Sequence, residues 1–523
     1  MAIRKSFIVQ KNEIKSISGQ KGIVVLIFAI ILSMTVIAYF LSGLSPQELT
    51  HNQIVSTSKS LSRAKQALLA YAASRADIAT PTAQPGRLGY LPCPANNNGE
   101  GNSVGTCGAS NMAAIGWFPW RSLGLPPLKD ESGTCLLYAV SGSYKFSPPP
   151  NMLNEDSYGM FQIVDESENI VQGSSPENRV VALVFAAGKA LPGQARNYKA
   201  GTQCGDDVDN FGAYLDEFKS INNSSVNTAK VDEIDQFIHA TAESMAHDAE
   251  TPRNDRFITI TRDEIWSAIM LRDEFDASLT TGTSKTRRVT EALARCLAQY
   301  GNGNANSRLP FPAPMDLDGN DYRDRDSYDD ASVATGQHFG RFPYIVDSSD
   351  SVIPGTSAVT ELFDKDFAAP PQNPPAGNIV DCNSLPIAFP LNPVSNLRTS
   401  TSEDRIYWEN RKDHFFYAVS SDYRPNAGPA DDTAGAPRCA GGCLTVAGIQ
   451  HAAVVIYSGE KQGGQRRHAP VAPSDTEETK NDFTRYVEVV NAAGTGTGDY
   501  TPTGNDVIFC ITDTDPLSVV PCP

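Results

Sequence analysis

The longest apolar run in the chain is IVVLIFAIILSMTVIAYFLSGL, residues 23–44, with no charge over 22 positions. At about 1.5 Å per helical residue it reaches roughly 33 Å, the thickness of a bilayer core, so the pattern predicts a single membrane-spanning helix. Arg4, Lys5, Lys11, Lys15 and Lys21 precede it against Glu13 alone. That basic excess predicts a cytoplasmic N-terminus, with everything beyond Leu44 exported. A cleaved secretory signal is the competing reading, but its apolar run is usually shorter and ends in a small-x-small site, and none is convincing here.

Beyond Leu44 the pattern repeats itself. Leu61, Ala64, Leu68 and Ala72 line one face of a helix, and so do Val289, Leu293, Cys296 and Tyr300. Pro92-Cys93-Pro94-Ala95 is answered by Pro310-Phe311-Pro312-Ala313, and Gly116-Trp117-Phe118-Pro119-Trp120 by Gly340-Arg341-Phe342-Pro343-Tyr344. Tyr-Ala-Val-Ser occurs at 138–141 and again at 417–420. The runs VVALVFAAGKALPGQAR from Val180 and AAVVIYSGEKQGGQRR from Ala452 read as buried strands closed by glycine turns, with Gly188, Gly193 and Gln194 matching Gly459, Gly464 and Gln465. Asn254-Asp255 precedes FITIT as Asn505-Asp506 precedes VIFCIT. A collinear series of this kind marks an internal duplication, with insertions in the loops, the largest over about residues 345–405. The predicted division is a basic leader over 1–22, a transmembrane helix and its extension over 23–56, a first unit over 57–275, a linker over 276–288 and a second unit over 289–523.

Composition narrows the function. The net charge of −17 argues against nucleic acid as a partner. Ten cysteines, at 93, 107, 135, 204, 296, 382, 439, 443, 510 and 522, all follow the apolar run. In an exported chain an even set favours disulfides. The short separations make Cys93 with Cys107, Cys439 with Cys443 and Cys510 with Cys522 the leading pairs, with zinc the weaker reading of Cys439 and Cys443.

Two features carry a family resemblance. Lys21-Gly22 stands directly before the apolar run, and the series Gly86-Arg87, Leu91-Pro92-Cys93-Pro94-Ala95, Trp117 to Leu125 and Leu136 to Val140 follows it. Together they resemble type IV pilin-like proteins, the minor pilins and the pseudopilins of type II secretion. The resemblance implies an α+β, pilin-like fold: a long N-terminal transmembrane helix followed by two tandem globular heads, each a helix packed on antiparallel β-sheet. It implies cleavage by prepilin peptidase between Gly22 and Ile23, residence in the inner membrane as a single-pass protein with a periplasmic C-terminal part, and later transfer to a pilus or the cell surface. Its partners would be other pilin or pseudopilin subunits, met through the N-terminal helix, and an unknown surface or receptor. The fifth residue of the processed chain would be Ile27, where filament pilins carry Glu. That departure implies a tip or initiating subunit, since a charge with no partner is costly in an apolar filament core.

Among residues that could carry chemistry, Asp316, Asp318, Asn320, Tyr322 (through its carbonyl) and Asp324 have oxygen-ligand spacing suited to calcium, although no bidentate Glu closes an EF-hand. A solvated acidic turn explains them equally well. Asp347-Ser348-Ser349-Asp350-Ser351 has the spacing of a metal-dependent adhesion site, without the rest of that domain's pattern. Trp117, Phe118 and Trp120 read as core more readily than as a binding patch. No G-x-S-x-G, phosphate loop or HExxH is present. The expected function is thus a non-enzymatic minor pilin or pseudopilin, and the competing one a permanently anchored periplasmic calcium-dependent binding protein.

Overall fold

The computed structural model describes residues 26–35, 46–74, 88–95, 100–147, 152–196, 203–204, 210–226, 233–241, 244–245, 252–273, 275–276, 284–303, 307–317, 322–324, 327–330, 338–347, 359–362, 403–425, 439, 441–467, 480–488, 498–501 and 504–523. The chain divides into two compact units, Met1–Lys59 and Ser60–Pro523.

In the first unit, helix α1 covers 26–35, and its apolar side chains stand exposed, Phe28 at 69% and Met34 at 65%. Helix α2 (Pro46–Ser74) begins in this unit and ends in the second. Its apolar face is the one the 3.6-residue period marks: Leu61, Ala64, Leu68 and Ala72 are all buried.

The larger unit is built on two seven-stranded sheets. The first half of the chain supplies β1 (Ala114–Trp117), β2 (Leu137–Val140), β3 (Phe161–Val164), β4 (Ile170–Gln172) and β5 (Val180–Ala186), then a small ribbon of β6 (Glu217–Phe218) and β7 (Ile221–Asn222), then β8 (Asp235–Ile238) and β9 (Arg256–Thr261). Helix α3 (Arg262–Ile269) follows β9 without a loop, because Thr261 and Glu264 form a reciprocal capping box. After α4 (Lys285–Gly303), the second half supplies β10 (Phe339–Arg341), a ribbon of β11 (Ile345–Asp347) with β12 (Val359–Glu361), α5 (Glu403–Arg411), β13 (Phe415–Val419), β14 (Leu444–Val446), β15 (Ile449–Tyr457), β16 (Asp499–Tyr500), β17 (Val507–Thr512) and β18 (Val519–Pro521).

The two sheets have one topology. The order β1-β2-β5-β3 in the first is β10-β13-β15-β14 in the second; β9 pairs β5 as β17 pairs β15, and β8 runs parallel to β3 as β16 runs parallel to β14. Ala95 bridges Trp117, and Ala313 bridges Arg341. The short motifs that recur in the sequence therefore sit at equivalent places. In the second sheet the apolar runs are continuous because both faces are covered. Phe415, Tyr417 and Val419 of β13 enter the main core, while Phe416 and Ala418 point into a second cluster with Val454 and Ile456. Helix α4 covers the main-core face, packing on β15 and β17.

The expected pilin-like fold is overturned. No helix among the described residues is long and apolar enough to cross a membrane; the ten described residues of α1 span about 15 Å. Nor are there two tandem heads: Ser60–Pro523 is one unit, and one core cluster runs from Leu61 to Leu517 through both sheets. The sheets are mixed rather than antiparallel, since alternation along a strand marks which face is buried but carries no mark of the direction of its neighbour.

Candidate functional site

Among the described residues, a cluster of buried charged side chains lies where the two halves meet. Residues 152–158, between β2 and β3, run against α5, the short 3-10 turn Lys412–His414 and the end of β15. The joint is polar by sequence necessity. Lys412-Asp413-His414 stands directly before the apolar strand FFYAV, so its side chains are drawn under cover with the strand, all three being buried. A buried charge is tolerated only when paired and hydrogen-bonded; Lys412 donates to the Glu409 carbonyl of α5, and Asp413 and His414 find partners on the other half or in the loops beside them.

Asn154 donates from Nδ2 to the Asn410 carbonyl (2.9 Å) and to Asp413 Oδ1 (2.9 Å). Asn410 Oδ1 accepts from the Leu153 amide at 2.9 Å and from the Tyr90 hydroxyl at 3.1 Å. Glu155 Oε2 lies 3.2 Å from Arg411 Nη2, and its Oε1 accepts from Tyr457 at 3.5 Å. Arg411 also lies over the Phe275 and Tyr407 rings, each 4.7 Å from centroid to guanidinium. Asp156 Oδ2 is 2.9 Å from His414 Nε2, which is 3.8 Å from Asp413 Oδ1. Asp413 Oδ2 accepts from Lys480.

Burial alone would raise the Asp156 and Asp413 carboxyls, but the opposing charges win. His414 holds Asp156 far below the usual carboxylate range, and Lys480 with His414 holds Asp413 below it. The Lys480 ammonium, which burial would lower, is held above its ordinary value chiefly by Asp413. Arg341 closes the cluster from β10. Fully buried, it donates from Nη1 to the Asp413 carbonyl (2.7 Å), from Nε to the Met315 carbonyl (3.1 Å) and from Nη2 to the Lys480 carbonyl, with the Tyr322 ring 4.7 Å away. A small cavity of about 30 Å³, room for one water, opens between Asn154, Asp156, Tyr158, Tyr322, Arg323 and Lys480. Asp156, Asp413 and His414 have metal-ligand chemistry and lie close enough together to use it on one ion.

The residues expected from the sequence fall elsewhere. Gly22 and Ile23 lie outside the described residues, as do Asp318 and Asn320 of the calcium loop and Ser348 to Ser351 of the adhesion-site spacing. Of the described members of that calcium loop, Asp316 and Asp324 are exposed and Tyr322 is buried. Asp316 accepts from Asn481 at 3.5 Å, the Tyr322 carbonyl accepts from the Tyr328 hydroxyl at 3.0 Å, and the Asp324 carbonyl accepts from the Ser327 amide. Trp117, Phe118 and Trp120 are buried. The structure pairs Cys93 with Cys107, Cys439 with Cys443 and Cys510 with Cys522, and also joins Cys135 to Cys204, a bridge that sequence separation does not single out. Cys296 is disulfide-bonded as well, and no free cysteine occurs among the described residues. The joint itself escaped the sequence: Asp156 and Asp413 are brought together only by the docking of two halves. The one available signal was the charged Lys412-Asp413-His414 set against a strand bound for the core.

Comparison with known proteins adds no identity: no family model, no curated protein and no solved structure matches this chain.

Proposed function

We propose that this chain is a non-enzymatic, exported subunit of a type IV pilus or type II secretion-like filament, placed at the tip or at initiation, with the large unit presented to a surface. The observation that carries the reading is α1, whose Leu26, Ile27, Phe28, Ile31, Leu32 and Met34 stand around an exposed helix. Apolar side chains on all sides of a helix call for a lipid or helical environment, and the helices of neighbouring subunits provide one. The disulfides support an oxidising compartment. Lys21-Gly22 and Ile27 support the filament assignment as set out from the sequence. On this reading the inner membrane holds the chain before assembly, and prepilin peptidase removes the leader that ends at Gly22.

The test is the N-terminal residue of the chain recovered from membrane and from sheared surface fractions. Ile23 in both, with the chain present in the sheared fraction, is the expected result. An intact Met1 together with absence from sheared filaments would sink the proposal.

A further inference from the structure

The joint between the halves holds ligand atoms arranged for a metal ion, and we propose that Asp156, Asp413 and His414 bind a zinc-type divalent cation that locks the two sheets together. Their ligand atoms all lie within 4.8 Å of one another and are buried. Two ligands about 2.1 Å from a shared tetrahedral ion stand about 3.4 Å apart. The distances from His414 Nε2, 2.9 Å to Asp156 and 3.8 Å to Asp413, bracket that spacing.

A second, independent observation points the same way. His414 Nε2 and Asp156 Oδ2 face each other, yet neither makes a hydrogen bond of acceptable geometry, and both are shut off from solvent. A cation seated between them would ligate Nε2 and Oδ2 together, in place of their direct 2.9 Å contact. The other ring nitrogen, Nδ1, is 3.3 Å from Ser458 Oγ. That contact suits an Nδ1–H donor, which leaves Nε2 free to ligate, the support that metal-bound imidazoles ordinarily have.

The remaining oxygens are held by neighbours of the right kind. Asn154 steadies Asp413 Oδ1 and Lys480 holds Oδ2, so one carboxylate bridges ion and ammonium. Two carboxylates and the imidazole supply three ligands, and the adjoining cavity, lined by Asp156, has room for a water as the fourth. One carboxylate comes from the first half and the other two ligands from the second, so binding cross-links the duplicated sheets. Imidazole with carboxylates favours zinc-class ions over calcium, which takes six to eight oxygens.

The full exported chain, purified without chelators, is assayed for metal content, then stripped and titrated with zinc and cobalt(II) alone. The expected result is one equivalent of zinc per chain and a four-coordinate cobalt absorption that zinc abolishes and millimolar calcium does not. Asp156→Asn removes a ligand and should abolish uptake. Ser458→Ala, which keeps all three ligands and the charge pairs, should weaken zinc about tenfold and remains informative if Asp156→Asn fails to fold. No uptake by the unaltered chain overturns the proposal, and so does uptake that Ser458→Ala leaves unchanged.

Discussion

Arg196 and Arg467 occupy the same place in the two sheets and make the same bonds. Arg196 donates from Nε to the Ala213 carbonyl (3.0 Å), from Nη1 to the Gly188 carbonyl (2.6 Å), and from Nη2 to Gln194 Oε1 (3.0 Å) and the Tyr214 carbonyl (3.2 Å). Arg467 does so to the carbonyl of Arg485 (2.6 Å), that of Gly459 (2.9 Å), Gln465 Oε1 (2.8 Å) and the Tyr486 carbonyl (3.2 Å). Each guanidinium lies over the ring that follows a short 3-10 turn, Tyr214 at 5.1 Å and Tyr486 at 5.0 Å. The glycine turn after the central strand and the 3-10 turn that follows it are thereby tied by one side chain.

Removing the hub should cost more in the second half than in the first. Arg467 is 3% exposed, whereas Arg196 is only half-buried, so water can reach the acceptors that Arg196→Ala would abandon. Hydrogen bonds to charged groups contribute about 1.5–3 kcal/mol each before overlap, and Arg467→Ala should therefore cost roughly 3 kcal/mol or more in a urea unfolding series, with Arg196→Ala well below it. Arg467→Lys should recover little, because an ammonium cannot reach carbonyls fixed for a planar fork. Equal losses at both sites would show that the two hubs are not differently shielded.

At the joint, Asn410→Ala removes the acceptor shared by the Leu153 amide and the Tyr90 hydroxyl. Each buried donor left without an acceptor costs about 1–3 kcal/mol. Tyr90→Phe alone should cost about 1 kcal/mol, and in the Asn410→Ala background its effect should nearly vanish, since the bond is already gone. A double-mutant cycle read by denaturation measures this; an undiminished Tyr90→Phe effect would mean that the hydroxyl's weight rests on another contact.

The disulfides should rank by the chain they enclose. Cys135 and Cys204 are separated by 69 residues, Cys439 and Cys443 by four. Loop-closure entropy assigns about 4 kcal/mol to the first bridge and about 2 kcal/mol to the second. Paired serine replacements followed by thermal unfolding should preserve that order, with reduction of the whole protein lowering the midpoint further.

How much of this was legible beforehand follows from what each pattern can encode. The faces of α2 and α4 could be read because burial repeats at the helical period: Leu68 and Leu293 are wholly buried where the spacing puts them. The duplication was visible at Gly188, Gln194, Gly459 and Gln465 because the turns at Gly188, Gly193 and Gly464 have positive φ, where a side chain is strained, and because both glutamines serve the arginine hubs. The joining of both sheets in one core was not visible, since the residues that close it, Asn154 with Asp413 and Glu155 with Arg411, obey no shared period and lie in a loop, a 3-10 turn and the last residue of α5. The parallel pairing of β8 and β16 was hidden too, as strand direction leaves no mark on which side chains alternate.

Asp255 gives the pH dependence. It sits at the start of β9, fully buried, accepting at Oδ2 from the Asp216 amide (2.6 Å) and Asn223 Nδ2 (3.0 Å), while its own amide donates to Asp216 Oδ2 at 2.8 Å. Its Oδ1 makes no hydrogen bond. Burial first, and the Asp216 charge second, push its carboxyl well above the usual range, beyond what the amide donors recover. A carboxyl raised in the folded state holds its proton more tightly there than in the unfolded chain. Its contribution is therefore fully present below about pH 4 and is lost as pH rises toward the folded-state pKa, each unit of displacement amounting to about 1.4 kcal/mol. Asp255→Asn keeps the acceptor for both donors and has no charge to bury, so it should melt at a higher temperature than the natural chain at pH 7, with the gap closing as pH falls to 4. Calorimetric scans at the two values decide the point: an asparagine variant less stable than the natural chain at pH 7 would show that Asp255 is ionised in the fold and that its charge is used.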